Sequence, residues 1–253
     1  MVMTIGAPRR GTEPRRTWVA FSAVRGLGTL INTATVIAGG GVGVLVGHRI
    51  PEAVRTVVVQ VIGMVTLVMG VDYVLRSHNL VFPLVGTVIG AVIGELLRVE
   101  RGLERLGSWL RNRFARGGEE SRFVTGFVTA TLLFCIGPMT ILGAIEDASG
   151  ATPQLYIIKG TLDGFMTVVF AATYGIGAAF SAVGVFVVQG LLTLFGTGLD
   201  SLLSDRMRTE MFAAGGLTVL AIGLNLLEIK KIRLGSLLPA LVVTPVLVAL
   251  FAV

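Results

Sequence analysis

Two ionisable residues lie one helical turn apart at the start of an apolar run. Lys159 and Asp163 occur in IIKGTLDGFMTVVFAATYG, which begins at residue 157, and Lys159 is one of only three lysines in the chain. Their spacing puts both side chains on one helix face, where they can form an ion pair. A lysine that precedes its aspartate near a helix N-terminus opposes the helix dipole, so helix stability alone does not favour this order.

Three interpretations of this pair remain open. It can be a functional site, a structural ion pair, or a lysine that extends to the lipid headgroups. An unpaired charge that faces lipid costs at least about 2.5–3.5 kcal/mol at the centre of a bilayer. We therefore expect Lys159 and Asp163 to face protein or water, and we interpret them as candidate residues for binding a substrate or an ion.

Other polar residues near the ends of apolar segments are further binding candidates. Glu146 and Asp147 precede the lysine segment on the same predicted side, where three carboxylates to one ammonium would attract cations. Asp72, Asn225 and Glu95 lie near the ends of other segments. The alternatives are an acidic loop in water for the first two, hydrogen bonds between helices for Asp72 and Asn225, and headgroup contact for Glu95.

Some apolar segments contain proline or polar residues, which are uncommon in an uninterrupted helix that faces lipid. FCIGPMT places Gly137 and Pro138 inside one of them. Proline removes a backbone hydrogen bond and breaks or kinks a helix, and freed carbonyls are tolerated at that depth only against protein or a wet cavity. We predict a broken helix here, with an ordinary proline kink as the alternative.

Asn32 and Gln189 are weaker candidates for a binding site, because such residues more often join helices by hydrogen bonds.

Composition indicates which elements must position these residues. The chain is 53% hydrophobic and 14% charged, whereas soluble domains carry about 25% charged residues. Several apolar stretches of about 20 residues match a hydrocarbon core of about 30 Å. The predicted fold is all-α, a polytopic transmembrane helix bundle of eight spanning segments, or of seven with one segment re-entrant. The segments are 27–48, 55–75, 80–97, 122–145, 155–173, 176–197, 211–228 and 234–252.

These segments form a single transmembrane domain, residues 27–252, after a basic tail, residues 1–26, that we predict to be disordered. Between the two halves, residues 98–121 combine arginines with apolar residues at helical spacing and predict an amphipathic linker helix at the membrane surface. The positive-inside rule places this linker in the cytoplasm. The same alternation puts the N-terminus outside, although the tail carries five arginines and one glutamate.

Two pairs of segments are similar in sequence, which predicts an internal repeat. The matched residues are Gly63 with Gly216, Gly70 with Gly223, Asp72 with Asn225 and, after a three-residue adjustment, Pro83 with Pro239. Five crossings separate the copies, so they would run in opposite directions, as in the inverted repeats of many secondary transporters. Chance similarity between helices rich in glycine and leucine is the alternative.

The sequence argues against several other classes of protein. A single cysteine excludes an intramolecular disulfide and a cysteine metal cluster. No catalytic triad, metal-ligand spacing or nucleotide motif is present, so we expect neither an enzyme, nor a metal site, nor a cofactor. The net charge of +6 indicates anionic lipid headgroups as partners and not nucleic acid.

Several motifs occur in order along almost the whole chain. They are GTLINTATVIAGGGVGVLVGHRIPE from residue 28, GAVIGELLRVERGLERLG from residue 90, FVTATLLFCIGPMTILGAIEDASG from residue 127, KGTLDGFMTVVFAATYGIGAAFSA from residue 159 and AAGGLTVLAIGLNLLEIKKIRLGSLLPAL from residue 213. Over about residues 27–250 the chain resembles bacterial membrane proteins of domain-of-unknown-function family 554, the YqgA/YdfK type. The resemblance implies a multi-pass inner-membrane protein, often described as a possible transporter, and brings no settled substrate or catalytic residues. The long N-terminal tail departs from the usual pattern of that family.

Together these patterns favour a secondary transporter or channel that moves a small solute across the bacterial inner membrane by alternating access. Among small solutes, they favour an ion. Its expected partners are membrane lipids and the transported solute, with homo-oligomers left open. The alternative is a scaffold or regulatory protein that transports nothing and binds lipid or another protein through its basic amphipathic helix.

Overall fold

The computed structural model describes residues 24–47, 49–114 and 120–251. In these ranges the chain is helical or connects helices, and no described residue forms a strand. Most of the predicted tail lies outside the described residues. The helices are α1 (Leu27–Gly47), α2 (Glu52–Leu75), α3 (Val81–Leu96), α4 (Val99–Phe114), α5 (Glu120–Cys135), α6 (Pro138–Ala148), α7 (Gln154–Tyr174), α8 (Ile176–Ala179), α9 (Ser181–Leu194), α10 (Gly196–Leu202), α11 (Asp205–Leu226) and α12 (Ala240–Phe251), with a 3-10 turn at Gly235–Leu237.

All eight predicted apolar segments coincide with helical residues, which confirms an all-α, polytopic helix bundle. In the described part of the chain, α1, α2, α7, α8 with α9, and α11 are each long and apolar enough to cross a membrane. Two bent pairs also qualify when each is taken as one span: α3 with α4, bent by 55°, and α5 with α6, bent by 63°. The segment that contains α12 is apolar but shorter.

Glycines let α1 and α7 approach each other closely. Contacts advance in the same direction along both helices, from Gly28 beside Tyr156 to Gly47 beside Ala172, so the two run parallel. A Cβ atom at Gly39 would overlap the backbone of Gly164. Because a side chain there would force the helices apart, the glycine series of α1 serves close helix packing.

A second glycine series joins α3 to α12. Gly86, Gly90 and Gly94 lie against Thr244, Ala240 and Ser236, so these two helices run antiparallel. α2 and α11 are also antiparallel and pack through glycines on both helices. These contacts tie α2 and α3 to α11 and α12 at the end of the chain.

Two connections between the apolar helices have clear local causes. The TYGIG turn ends α7 at Tyr174, and Gly175 has a φ of +77°, a conformation that favours glycine. The basic linker forms α4, which buries Gly107 and Leu110 and leaves Trp109 exposed. α4 therefore has one buried and one exposed side, and the interpretation of this linker as an amphipathic helix on the cytoplasmic side stays a prediction.

Two neighbouring glycines of α1 offer a matched test of the packing. Gly39→Ala should destabilise the protein by about 1–3 kcal/mol, because the new methyl group overlaps the backbone of α7. Gly41→Ala should be neutral or slightly stabilising, since nothing lies within 4 Å of its Cβ position and alanine favours the helix. Thermal unfolding in detergent micelles measures both, and equal unfolding temperatures would contradict the close contact.

Candidate functional site

Lys159 and Asp163 form an ion pair inside the bundle. Both lie on the face of α7 that packs against other helices, and their residues are only 6% and 7% exposed. The Lys159 ammonium also lies 6.0 Å from the centre of the Phe134 ring, within reach of a cation–π contact. The lysine therefore does not extend to the headgroups. Two interpretations remain, a functional site and a structural ion pair.

Two amide side chains from other helices complete this cluster. Asn32 Nδ2, on α1, donates to Asp163 Oδ2 at 3.0 Å and to Gln189 Oε1, on α9, at 3.1 Å. Asn32 and Gln189 are both 0% exposed. Sequence analysis ranked these amides low because nothing in the spacing along the chain shows that α1, α7 and α9 meet at this level.

The same two amides each leave a buried atom without a partner among the described residues. Asn32 Oδ1 and Gln189 Nε2 are buried and have no hydrogen-bond partner. Turning the Asn32 amide over would put its oxygen against the oxygens of Asp163 and Gln189, and turning over Gln189 would oppose two NH₂ groups. Their orientations are therefore fixed by their partners, and a buried acceptor and a buried donor stay open.

Asp147 lies in a separate polar cluster, at the N-terminus of α1. Its carboxylate accepts hydrogen bonds from the backbone N–H groups of Gly28 at 2.9 Å and Thr29 at 3.1 Å, and from the Thr29 hydroxyl at 3.1 Å. Thr193 Oγ1, on α9, lies 3.4 Å away. Asp147 is 1% exposed, so it is not part of an acidic loop in water, and the geometry makes it a cap that suits the helix dipole.

Glu146 has a similar role at the next helix. It is partly buried, and its Oε2 accepts a hydrogen bond from the backbone N–H of Leu155, in the first turn of α7, at 2.9 Å. The two adjacent carboxylates therefore hold the starts of α1 and α7, the two helices that carry Asn32 and the ion pair. Their predicted attraction for cations stays a prediction.

The predicted broken helix is present at Gly137 and Pro138. α5 ends at Cys135, and α6 begins at Pro138 with a bend of 63°. The Thr140 hydroxyl donates to the carbonyl of Phe134 at 3.2 Å, and Tyr156, on α7, donates to the carbonyl of Thr140 at 2.7 Å. Side chains thus satisfy carbonyls on both sides of the break, which lies close to the Phe134 ring beside Lys159.

Aromatic rings separate the ion pair from a polar cavity at one end of the bundle. The rings of Phe134 and Phe170 have centres 6.4 Å apart, and those of Phe170 and Tyr174 are stacked at 5.9 Å. Tyr174 lines a cavity of about 330 Å³ whose charged lining residues are Glu52, Arg55, Arg122 and Glu228. Phe134 and Phe170 are 2% and 0% exposed, so the ion pair is closed off from this cavity.

Asp72 and Asn225 lie apart from the buried cluster, at helix ends. Asp72 is exposed and pairs with Arg76 at 2.6 Å on its own helix. Asn225 exchanges two hydrogen bonds with the backbone of Ile232, at 2.8 and 2.7 Å, and so holds the loop that follows α11. Neither residue contacts the Lys159 cluster, and their predicted role in binding stays a prediction.

Glu95 is also at a helix end. It is exposed, forms an ion pair with Arg233 and accepts a hydrogen bond from the Ser236 hydroxyl at 3.1 Å. Nearby, Glu100 accepts a hydrogen bond from the backbone N–H of Gly235 at 2.5 Å. Burial raises the pKa of the Glu100 carboxyl, and this hydrogen bond opposes that rise. These carboxylates fix the connection to α12.

Glu210 is 0% exposed, and nothing in the sequence pattern marks it as buried. Its carboxylate accepts hydrogen bonds from the Ser77 hydroxyl at 2.5 Å and from the backbone N–H groups of His78 and Asn79 at 2.9 and 3.1 Å. The predicted segment begins at residue 211, whereas α11 begins at Asp205, so Glu210 lies inside the helix and not before it. Its three donors indicate a structural anchor for the connection between α2 and α3.

Comparisons with known proteins place the chain among uncharacterised membrane proteins. The family model described as "Protein of unknown function (DUF554)" matches residues 27–249. "Uncharacterized membrane protein YdfK" of Bacillus subtilis (strain 168) is 31% identical over 225 residues, which cover 87% of this chain and 95% of that protein. "Uncharacterized protein YqgA" of Escherichia coli (strain K12) is 29% identical over 218 residues, which cover 85% and 93%. No solved structure matches the chain.

The two kinds of carboxylate in this structure should respond differently to neutralisation. Asp147→Asn places an NH₂ group or a weaker acceptor against buried N–H groups, and should destabilise the protein by about 1–3 kcal/mol. Asp72→Asn removes an exposed ion pair, which should change stability by less than about 1 kcal/mol. Thermal unfolding in detergent compares the two variants, and a silent Asp147→Asn would contradict the capping role.

Proposed function

The chain is a member of the DUF554 family, and from its buried site we propose that it is a secondary transporter or channel for a small solute, most favourably an ion. We place it in the bacterial inner membrane as a multi-pass protein. The observation that carries the proposal is the Lys159–Asp163 ion pair, buried where α1, α7 and α9 meet and joined there by two amides with open hydrogen-bonding atoms.

A purely structural role explains this arrangement poorly. Removing two charges from water is expensive, and apolar residues of similar size often stabilise a protein as well as a buried ion pair does. The pair also stands in the order that helix stability does not favour. Intramembrane ionisable residues that face the interior of a bundle typically mark the path of a substrate or an ion.

The burial pattern supports an inverted repeat that includes α1 and α9. The sequence offset that relates Gly63 to Gly216 is 153 residues. The same offset aligns α1 with α9 and α10. Every buried residue of α9, and the buried Gly196 of α10, then falls on a buried residue of α1. The matched pairs are Gly28 with Ser181, Thr29 with Ala182, Asn32 with Val185, Val36 with Gln189, Gly40 with Thr193 and Gly43 with Gly196.

The glycines between α2 and α11 support the same symmetry. A Cβ at Gly223 would lie 3.0 Å from the carbonyl oxygen of Gly63, and a Cβ at Gly70 would lie 2.9 Å from that of Gly216. The repeat equates Gly63 with Gly216 and Gly70 with Gly223, so it converts the first of these contacts into the second. Such a symmetric pair of contacts is expected around a two-fold axis between antiparallel helices.

The third pair of helices follows this repeat with a slightly different offset. A shift of 154 residues, from Gly86 to Ala240, places the buried Gly86, Gly90 and Gly94 on buried residues of α12. The shift of 156 that aligns Pro83 with Pro239 places Gly86 and Gly94 on exposed residues instead. Burial therefore favours the shorter shift over the alignment of the prolines.

In this proposal the structure represents an occluded state. Phe134 and Phe170 close the ion pair off from the polar cavity, and capped helix ends close the opposite side around Asp147. Alternating access would open one side at a time by movement of one repeat against the other. The close glycine contacts between helices allow such movement along smooth surfaces.

A second candidate function, a scaffold that transports nothing, rests on α4. This helix buries one face against α5 and leaves Arg101, Arg105, Arg113 and Trp109 exposed. Basic residues and an aromatic ring at one surface suit anionic headgroups. This surface is compatible with transport as well, so it does not replace the first proposal.

Transport can be tested directly in proteoliposomes with a panel of small cations and anions. We expect saturable flux for the wild type, and flux at background level for Lys159→Met and Asp163→Asn. Either substitution leaves an unpaired buried charge that a closed site cannot carry across the membrane. Glu95→Gln, which alters an exposed pair, is the matched control and should retain flux.

Circular dichroism and monodispersity in detergent must first show that each variant is folded. Wild-type flux that survives in both folded variants would remove the ion pair from the transport path. Absence of flux for every solute would favour the scaffold, and binding to vesicles with anionic lipid would then become the relevant measurement.

The inverted repeat predicts the sides on which two equivalent helix ends lie. In a Cys135→Ala background, Arg76→Cys and Lys230→Cys place single thiols just after α2 and α11, at exposed positions. A maleimide that cannot cross membranes should label residue 76 in intact cells, and residue 230 only after permeabilisation. Labelling of both positions from one side would contradict an inverted arrangement.

A further inference from the structure

A second polar cavity lies between two connections of the chain. It has a volume of about 390 Å³ and is lined by the turn from α3 to α4 and by the loop that joins α11 to α12. Its lining carries four cationic side chains and three carboxylates, so its net charge is +1. The cationic residues are Arg98, Arg101, Lys231 and Arg233.

Two of the three carboxylates in this cavity are already bound within the protein. Glu95 pairs with Arg233 and accepts a hydrogen bond from the Ser236 hydroxyl at 3.1 Å. Glu100 accepts a hydrogen bond from the backbone N–H of Gly235 at 2.5 Å. These two carboxylates hold the loop before α12 and therefore do not balance the other cations of the lining.

The remaining three cations lack a carboxylate partner. In the described part of the chain, Arg98, Arg101 and Lys231 form no ion pair, although all three line one cavity. Glu104 is the third lining carboxylate, and it has no hydrogen bond or ion pair with a described residue. Three cations around one cavity repel each other unless an anion lies between them.

The backbone of Arg98 indicates that its side chain has a role beyond the fold. Arg98 follows the end of α3 and has a φ of +56°, in the left-handed conformation that favours glycine at this position. A cation near a helix C-terminus suits the helix dipole, but an arginine in place of Leu96 or Leu97 would do so without this strain. Strained residues of this kind occur mainly at functional sites.

Exposed apolar side chains lie beside the cations on both connections. Leu96 and Leu97 directly precede Arg98, and Ile229 lies two residues before Lys231. Basic side chains next to outward-facing apolar groups fit the boundary between hydrocarbon and headgroups, where they extend toward lipid phosphates. This arrangement favours an anion that carries acyl chains over an anion from the solution.

We infer that this cavity binds the headgroup of an anionic phospholipid, with Arg98, Arg101 and Lys231 around the phosphodiester and Glu104 as acceptor for a headgroup hydroxyl. The single negative charge of a phosphodiester neutralises the lining, and the arginine fork suits phosphate oxygens. Phosphatidylglycerol has this charge and donor hydroxyls. Phosphatidylcholine has no net charge and no donor in its headgroup, so it should bind poorly.

This site goes beyond the proposed transport function and does not rest on it. It shares Arg101 with the exposed face of α4, but its other two cations come from the end of α3 and from the loop after α11. A lipid bound there would join the turn between α3 and α4 to the loop before α12.

Native mass spectrometry of the purified full chain in a neutral detergent can test the site, because it counts single lipid molecules without a charged membrane surface. Titration with phosphatidylglycerol should show one molecule that binds about tenfold more tightly than any further one. Phosphatidylcholine should show no such first molecule. Equal binding of the two lipids would overturn the inference.

Matched substitutions separate the cavity from the basic surface of α4. Arg98→Gln and Lys231→Gln should each weaken the first binding step about tenfold, because each loses a charge-assisted hydrogen bond to phosphate. Arg105→Gln and Arg113→Gln remove exposed cations of α4 outside the cavity and should leave that step unchanged. An equal loss in all four variants would place binding on the surface of α4 and overturn the inference.

Arg98→Gly gives a readout that a merely structural arginine would not give. Glycine adopts the left-handed conformation without strain, so the lipid-free variant should unfold at a higher temperature than the wild type. Its affinity for phosphatidylglycerol should nevertheless fall as much as that of Arg98→Gln. A lower unfolding temperature without lipid would show that Arg98 serves the fold and would overturn its place in the site.

Soluble anions distinguish a lipid headgroup from a free phosphate. Phosphatidylglycerol in mixed micelles should raise the unfolding temperature of the wild type, because it binds the folded protein. Inorganic phosphate and glycerol 3-phosphate at the same concentration should not raise it, since they lack acyl chains. Equal stabilisation by either soluble anion would overturn the assignment to a lipid, and none of these outcomes depends on flux.

Discussion

The close approach of α1 and α7 is the contact on which the rest of the site depends. Inside a bilayer, polar groups have no water to bind, so each must meet its partner on another helix. Asn32 reaches Asp163 because small residues let the two backbones approach, with Gly39 pressed against Gly164. A larger side chain at this contact would separate the amide from the carboxylate and leave both partly unsatisfied, at a cost typical of buried polar groups.

The buried ion pair depends on both of its charged partners. Breaking a buried pair by removing one partner costs about 3–5 kcal/mol, although the intact pair adds little stability over apolar residues. Both partners must therefore stay in place for the buried site to remain stable. The Phe134 ring lies beside the ammonium and the buried Phe170 ring packs against Phe134, so water is kept away and the interaction between the two charges is stronger.

Periodicity and composition predict the elements well and their meeting points poorly. The apolar segments, the break at Gly137, the turn at Gly175 and the amphipathic linker all follow from local chemistry, which proline, glycine and charge determine over a few residues. The partners of Asp147 are backbone N–H groups of α1, 119 and 118 positions away, and no side-chain pattern encodes them. Asn32 likewise became important only when packing brought α1, α7 and α9 together.

The two polar clusters share the same two helices, and this connects them mechanically. On α1, Thr29 belongs to the Asp147 cluster, and Asn32, within one helical turn of it, belongs to the ion-pair cluster. On α9, Thr193 belongs to the Asp147 cluster and Gln189 to the ion-pair cluster. If α1 slides against α9, hydrogen bonds in both clusters must change together. In the proposed repeat these helices are equivalent and antiparallel, so their interface lies on the pseudo-two-fold axis. In the proposed transport function, this interface is therefore the one whose movement would open the site.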